Sequence, residues 1–302
     1  MTRVAVVDLG TNSTRLLVAE VADGHLEEVE RRLTITRLGE GVDGERSLGA
    51  AGIARVKDCL ARYRRAIDEL GAERLLAYAT SAVRDAANGA SFLGEVEAEF
   101  GLPTRLLSGE EEALLTFRGA TFGRRLEGLT AVVDLGGGST EIVLGDADGI
   151  RRSASIDVGC VRLAERFVRS DPPSGDEAES IRAHVRSFLL ERFSRAELPA
   201  SGIGAAGTVT TLATLHLGLP EEIPELVHGH RLPAAWIAEE SRRLAESRVE
   251  ELRERPGIVP ERAGVIAAGA LAVAEIVEFF QLDELEVSEW DILHGAALET
   301  AA

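Results

Sequence analysis

One ten-residue segment occurs twice in this chain, and this repeat constrains the fold more than any other feature. The segment at 5–14 recurs at 131–140 with the same residue at eight of its ten positions. Each copy reads as an apolar strand that ends in an aspartate, Asp8 or Asp134, followed by a tight turn of small residues and a second apolar strand. This pattern is typical of a β-hairpin. An internal repeat of this kind predicts two related structural units.

A second correspondence follows the hairpin in each half. Residues 75–82 and 201–208 both read as a buried strand that opens into small residues and then a helix. The sequence therefore predicts an α/β fold of two similar domains facing each other across a cleft, with ranges of 1–124 and 125–302. The glycines and arginines of 123–128 mark the boundary between the two predicted domains. We leave open that the last helix packs back on the first domain.

Apolar residues spaced three and four apart predict amphipathic helices in both halves. These helices are expected at 53–70, 92–100, 161–168, 176–193, 209–217, 234–245 and 261–280. Gly101 and Pro103 end the second of them, and a short strand is expected at 104–107.

Composition excludes several classes of function. The formal net charge of −18 lacks the basic surface that nucleic acids and anionic membranes require. Lys57 is the only lysine and lies outside any Walker A motif, which excludes a P-loop NTPase. The chain shows no signal peptide and no apolar stretch of the ~20 residues that span a bilayer. With two separated cysteines, Cys59 and Cys160, it is expected to be cytoplasmic, with no nucleic acid or membrane as partner.

The two hairpin turns are candidate phosphate sites. Turns of this composition place successive backbone N–H groups on one concave side, which suits an anion. An ordinary hairpin turn is the alternative, although two copies after buried aspartates favour the functional interpretation. The predicted phosphate-binding residues are Gly10, Thr11, Asn12, Ser13, Gly136, Gly137, Gly138, Ser139 and Thr140.

An acidic residue precedes each turn, and it would repel a phosphate unless a cation lay between them. Mg²⁺ is the natural bridge, because it prefers hard oxygen ligands and keeps several waters. In the second copy Glu141 takes the position that Arg15 holds in the first, which adds a second carboxylate. A solvated strand residue is the alternative for Glu141. The predicted metal ligands are Asp8, Asp134 and Glu141.

Three consecutive glutamates follow Ser108 at the start of a predicted helix. The helix dipole stabilises acids there without any catalytic role. Ser108 and Glu111 also match the capping-box pattern, so Glu111 has a structural function. Glu110 and Glu112 remain as candidates for a general base.

Other polar residues allow two interpretations each. Arg84 follows a predicted strand where a helix begins, so its guanidinium could hold phosphate oxygens, or it could pair with Asp85 at the surface. His228 and His230 could be metal ligands, but a loop with two polar histidines is favoured because no third ligand is nearby. Cys160 is expected to be a buried structural thiol.

Six short motifs, taken together and in order, resemble those of the exopolyphosphatase/guanosine pentaphosphate phosphatase (Ppx/GppA) family. They lie at 8–13, 79–84, 108–113, 134–141, 159–162 and 206–208. The resemblance implies two ribonuclease-H-like domains of the actin, Hsp70 and sugar-kinase superfamily. It also implies Mg²⁺-dependent removal of the terminal phosphate from polyphosphate or pppGpp. Glu112 is then the base. Arg84, in the second motif, is the other predicted catalytic residue and helps to hold the phosphate chain, and Gly207 and Thr208 join the phosphate-binding residues.

The sequence departs from the family pattern in two places. Long members continue into an extra helical region, whereas this chain stops at Ala302. With an acidic exterior as well, we expect it to prefer linear polyphosphate of short to moderate length over pppGpp. Residues 291–295 differ from the usual family segment and receive no role. A kinase of the same superfamily and a non-catalytic sensor of polyphosphate or (p)ppGpp remain as alternatives, and a homodimer is left open.

Overall fold

The structure is a computed structural model that describes residues 1–22, 24–195 and 198–302. The chain divides into two compact units. Unit 1 comprises Met1–Gly119 and Ile292–Ala302, and unit 2 comprises Ala120–Asp291.

Each half of the chain begins with three consecutive strands, after which helices and strands are mixed. The strands are β1 (Thr2–Leu9), β2 (Ser13–Ala22), β3 (His25–Ile35), β4 (Arg74–Ala79), β5 (Thr104–Leu106), β6 (Thr130–Leu135), β7 (Thr140–Asp146), β8 (Gly149–Ile156), β9 (Ser201–Ala205), β10 (Arg231–Pro233) and β11 (Glu284–Val287). The helices are α1 (Val42–Glu45), α2 (Ala50–Leu70), α3 (Ser81–Asp85), α4 (Gly89–Phe100), α5 (Gly109–Thr121), α6 (Cys160–Phe167), α7 (Gly175–Arg192), α8 (Ala206–His216), α9 (Pro224–Val227), α10 (Ala234–Glu246), α11 (Val249–Glu254), α12 (Ala263–Phe279) and α13 (Ile292–Ala301).

Each unit contains one mixed sheet, and the two sheets share a strand order. In unit 1 the order is β3-β2-β1-β4-β5. In unit 2 the order β8-β7-β6-β9-β11 repeats it, and β10 adds an antiparallel edge strand. Within β1–β3, and likewise within β6–β8, consecutive strands are antiparallel. Strands β4 and β5 run parallel to β1, and β9 and β11 run parallel to β6. The duplication and the fold class predicted from the repeated segment are therefore confirmed.

Helix α2 covers one face of the sheet in unit 1. Its apolar residues Val56, Leu60, Tyr63 and Ile67 are buried at helical spacing, as the periodicity predicts. Gly71 ends the helix in the left-handed conformation, with φ 67°, and its N–H bonds to the Ile67 carbonyl. Helix α13 covers the opposite face, where it packs on β1, β2 and β4. Both faces of this sheet are thus closed by helices.

Helix α12 is the centre of unit 2. It is apolar and buried around most of its circumference, because it packs against α6, α7 and α10. Helix α7 begins with a capping box in which Ser174 Oγ accepts the N–H of Glu177. In the part of the chain that the structure describes, no helix is both long and apolar enough to cross a membrane.

The predicted elements differ from the structure in a few details. Each predicted hairpin is a three-stranded meander, because β3 and β8 extend the two copies. The helix predicted at 261–280 begins with a 3-10 turn at Pro260–Arg262 before α12. The strand predicted at 104–107 ends at Leu106.

Candidate active site

In unit 1 the predicted site residues lie at the carboxyl ends of parallel strands. Asp8 is the penultimate residue of β1, and it lies beside Tyr78 of β4 in the parallel ladder. The turn after β1 is closed by a hydrogen bond of 3.0 Å from Gly10 N to Ser13 O. Thr11 Oγ1 lies 3.0 Å from Ser81 Oγ, which joins this turn to the start of α3 after β4. Ligands in open α/β sheets bind at this edge.

Arg84 and Glu112 form an ion pair within unit 1. Arg84 Nη1 donates to Glu112 Oε1 and, over 2.8 Å, to the carbonyl oxygen of Leu107. The Glu112 side chain is 4% exposed, whereas that of Arg84 is 28% exposed. A buried carboxylate fixed by a guanidinium has a defined orientation, which a general base needs.

The other two glutamates of this helix have different surroundings. Glu110 is exposed. Glu111 forms the predicted capping box, in which it accepts Ser108 N over 2.8 Å and donates its own N–H to Ser108 Oγ over 3.2 Å. The Ser108 N–H, followed by the Arg105 guanidinium, lowers the pKa of Glu111 to about 2. Of the two candidate bases, only Glu112 is buried.

Asp8 is paired with Arg15 directly across the β1–β2 ladder. Arg15 donates from Nη2 over 2.6 Å and from Nε over 2.8 Å, both to Asp8 Oδ2. Asp8 is one of the predicted metal ligands, but in the structure its carboxylate pairs with this arginine. A cation at Asp8 would share this carboxylate with the guanidinium, which already donates twice to Oδ2.

Unit 2 has two carboxylates at the equivalent positions. Asp134 and Glu141 are directly opposite in the β6–β7 ladder, so their side chains lie on the same face of the sheet. Both are buried, at 6% and 4% exposed. Ser155, across the next ladder on β8, donates to Glu141 Oε1 over 2.7 Å. Such a pair concentrates negative charge in a site with little water.

The carbonyl oxygens of three glycines in the turn after β6 accept hydrogen bonds from the start of α6. Gly136 O accepts from Cys160 N, and Gly137 O accepts from Val161 N, over 3.0 and 2.9 Å. Gly138 O accepts from the side chain of Arg162 over 2.7 Å. No carbonyl oxygen of these three glycines is left to repel an anion, which favours a phosphate at the turn.

Gly207 and Thr208 lie at the start of α8, beside this turn. Ala205, the last residue of β9, is next to Asp134 in the parallel ladder. Ala206 then adopts a positive φ of 70°, a strained conformation for a residue with a Cβ atom. Strain of this kind concentrates at functional sites. The Gly207 carbonyl accepts from Arg262 Nη1 over 2.7 Å.

Thr140 has a different role from the predicted one. It is completely buried, and its hydroxyl donates to the Val158 carbonyl. The side chain therefore stabilises the turn from inside, and we leave Thr140 out of the phosphate-binding set. Ser139, in contrast, closes the turn through its carbonyl oxygen, which accepts Gly136 N over 3.0 Å.

The remaining candidates do not form a metal centre of their own. His230 Nε2 lies 2.7 Å from His216 Nδ1, whereas His228 Nδ1 accepts the N–H of Glu289 over 3.1 Å. Within 1–22, 24–195 and 198–302, no three His, Cys, Asp or Glu side chains are grouped so that they could hold a metal ion. Cys160 is buried, and burial raises its pKa, as expected for a structural thiol.

Arg162 and Ser155 also contact site residues, although neither is among the predicted site residues. The signal for Arg162 was its place in the motif at 159–162. Ser155 carried no signal, because β8 itself was not predicted.

Comparison with known proteins adds a second line of evidence. A sequence model described as the Ppx/GppA phosphatase family matches residues 17–301. Exopolyphosphatase 2 of Mycobacterium tuberculosis is 40% identical over 317 residues, which cover 100% of this chain and 99% of that protein. A guanosine-5'-triphosphate,3'-diphosphate pyrophosphatase of Vibrio vulnificus is 28% identical, and the match covers 98% of this chain but 58% of that protein.

The fold is also similar to solved structures of proteins described in the same terms as these relatives. The Aquifex aeolicus member of the Ppx/GppA family superposes with a TM-score of 0.84 at 33% identity, over 99% of this chain and 97% of that one. An exopolyphosphatase from Cytophaga hutchinsonii superposes with a TM-score of 0.90 at 25% identity, over 97% and 96% of the two chains.

Proposed function

Because this chain belongs to the Ppx/GppA phosphatase family, we propose that it is an exopolyphosphatase, which hydrolyses the terminal phosphoanhydride bond of inorganic polyphosphate. The observation that carries the proposal is the burial of three acids, Glu112, Asp134 and Glu141, beside turns suited to phosphate. A protein that only binds an anion gains nothing from buried carboxylates near its ligand. The 40% identity to an exopolyphosphatase supports the same activity.

In this proposal Glu112 is the general base. Its carboxylate accepts a proton from a water molecule whose oxygen attacks the terminal phosphorus atom. The bond from that phosphorus to the bridging oxygen breaks, and the shortened chain leaves with the bridging oxygen. Arg84 orients Glu112 through their ion pair and places positive charge beside the reaction.

The remaining residues hold the phosphates. The backbone N–H groups of residues 11–13 and 137–139 bind phosphate oxygens, while those of Gly10 and Gly136 close the two turns. Gly207 and Thr208 bind phosphate at the start of α8. Phosphoryl transfer depends mostly on positioning and on electrostatic stabilisation, and these groups supply the positioning.

The residues of unit 2 fit a magnesium ion. Asp134 and Glu141 supply hard oxygen ligands at facing positions, and Mg²⁺ is commonly bound by one or two carboxylates together with waters and substrate phosphates. When bound there, Mg²⁺ would neutralise charge on the phosphate oxygens. Asp8 is not included, because Arg15 already balances its charge.

We propose linear polyphosphate of short to moderate length as the substrate, and a cytoplasmic location. With a net charge of −18, the protein repels the distal part of a long polyanion, so additional phosphates add little affinity. Raising the ionic strength should therefore penalise long chains less than short ones. The pppGpp phosphohydrolase activity of family members is the alternative.

The test is incubation of the wild-type protein with Mg²⁺ and polyphosphates of graded length, with no acceptor and with pppGpp in parallel. We expect release of inorganic phosphate, with kcat/KM levelling off at moderate length. A kinase would need an acceptor and a sensor would release nothing, so the absence of phosphate refutes the hydrolase. A higher kcat/KM for pppGpp than for every polyphosphate refutes the substrate assignment.

A further inference from the structure

Helix α13 meets helix α5 through a backbone contact within unit 1. A Cβ atom at Gly295 would overlap the carbonyl oxygen of Leu115 and lie 3.0 Å from its Cα atom. The two helices can come this close only because Gly295 has no side chain. Leu115 lies three residues after Glu112, so the contact is on the next turn of the helix that carries the proposed base.

A second contact joins the same two helices through Arg105. Its Nη1 donates to Glu299 Oε1 over 2.6 Å, and its Nη2 donates to Glu111 Oε1. These two carboxylates raise the pKa of the Arg105 guanidinium, Glu111 first. Glu111 is adjacent to Glu112 and belongs to the capping box of α5. Through Arg105, Glu299 is therefore linked to the first turn of α5.

The spacing of the two contacts matches on both helices. Glu111 and Leu115 are four residues apart on α5, and Gly295 and Glu299 are four residues apart on α13. Residues at this spacing lie on one face of a helix. The two contacts therefore lie along one antiparallel seam, which joins the first two turns of α5 to α13.

Helix α13 also supports the other elements that bear site residues in unit 1. It packs on β1, which leads into the turn at 10–13, and on β4, which leads to Arg84. Its Thr300 carbonyl accepts from Arg74 Nη1, at the start of β4, over 3.0 Å. Helix α13 thus packs against the elements that carry the phosphate turn at 10–13, Arg84 and Glu112.

We propose that α13 positions Glu112 for catalysis, with Gly295 and Glu299 as the positioning residues; this rests on the proposed role of Glu112 as base. Neither residue needs to touch substrate. A small rotation of α5 would move the Glu112 carboxylate relative to Arg84, and misplacement by about 1 Å can cost on the order of 100-fold in rate.

The test compares Gly295→Ala with Gly94→Ala, which adds the same methyl group to α4 in open space. For Gly295→Ala we expect kcat to fall about 100-fold while KM stays within about threefold. Hydrogen exchange of the amides at 111–113, measured without substrate, should become about tenfold faster. Gly94→Ala should change neither quantity. A lower Tm with unchanged kcat and unchanged exchange would overturn the proposal.

A milder variant covers the case in which Gly295→Ala does not fold. Glu299→Gln keeps the size of the side chain but removes its charge, and we expect kcat to fall about tenfold at constant KM. Glu97→Gln on α4 is its control and should leave kcat unchanged. The double variant Glu299→Gln/Glu111→Gln should lose less than the product of the single losses, because both residues act through Arg105. Independent, multiplicative losses would contradict the seam.

The two proposals fail in different ways. Wild-type protein that releases no phosphate overturns the proposed function, and the exchange of 111–113 then still decides whether α13 holds the first turn of α5. Active wild-type protein whose Glu299→Gln and Gly295→Ala variants keep full kcat overturns the positioning role alone.

Discussion

Asp134 and Glu141 face each other across β6 and β7, at the position where the first copy of the hairpin pairs Asp8 with Arg15. The duplicated hairpins therefore share a backbone pattern, but one pairs an acid with a base and the other pairs two acids. In unit 1 an arginine of the protein pairs with the aspartate, whereas in unit 2 a second carboxylate takes the place of that arginine. This difference is the reason that we propose the magnesium site in unit 2 and not in unit 1.

The first prediction concerns this cation. Glu141→Gln removes one of the two facing charges and should raise the Mg²⁺ concentration for half-maximal phosphate release about tenfold or more. Asp146→Asn, at the end of the same strand, is the matched control, because Asp146 pairs with the exposed Arg151. An unchanged Mg²⁺ requirement in Glu141→Gln would rule out this carboxylate as a ligand.

The second prediction concerns the turn after β6. A Cβ atom at Gly159 would collide with the backbone of Gly137, so Gly159→Ala must displace the turn. We expect KM for polyphosphate to rise about tenfold, because the N–H groups lose their alignment. Gly264→Ala adds a methyl group to α12 in open space and should leave KM unchanged. Equal KM values for the two variants would contradict a phosphate-binding turn.

The third prediction follows from the low pKa of Glu111, about 2 against an ordinary value of 4.5. A depressed pKa means that the charged form stabilises the folded state above pH 4.5, and that this stability is lost as the pH falls toward 2. At pH 7, Glu111→Gln should lower the free energy of unfolding by about 0.5 kcal/mol, as is usual for partly exposed ion pairs.

Urea unfolding of wild type and Glu111→Gln between pH 7 and pH 3 measures this effect. The difference between the two proteins should be constant above pH 5 and shrink below pH 4.5. A difference that is independent of pH would show that the charge of Glu111 contributes nothing. Glu97→Gln, an exposed carboxylate of the same unit, serves as the control.

The sequence predicts local features well. The hairpins, the capping box of Ser108 and Glu111, and the end of α2 all depend on residues within a few positions of one another. The repeated segment also predicts the common strand order, because two copies of one hairpin imply two copies of one domain.

The sequence predicts charged edge strands poorly. In β3, residues 27–32 contain five charged side chains, and Leu26 is the single buried residue of the strand. Such a strand lacks the alternation of apolar and polar residues that identifies a half-buried strand. Pairing with β2 places it in the sheet.

Local sequence patterns also do not predict contacts between segments that are distant in the chain. The sequence left Glu110 and Glu112 open on physical grounds, and burial separates them only once α5 is packed. Arg84 with Glu112, and Gly295 with Leu115, are pairs that local patterns cannot reveal, because tertiary structure creates them.

The most direct test of the account compares Glu112→Gln with Glu110→Gln, two substitutions on the first turn of α5 that differ in burial. Phosphate release from polyphosphate and the Kd for polyphosphate are measured for both. We predict that Glu112→Gln loses at least about 100-fold in kcat and keeps a Kd within about threefold of wild type, as expected when a general base is removed. Glu110→Gln should match wild type in both quantities. Phosphate release by Glu112→Gln at the wild-type rate would contradict the account.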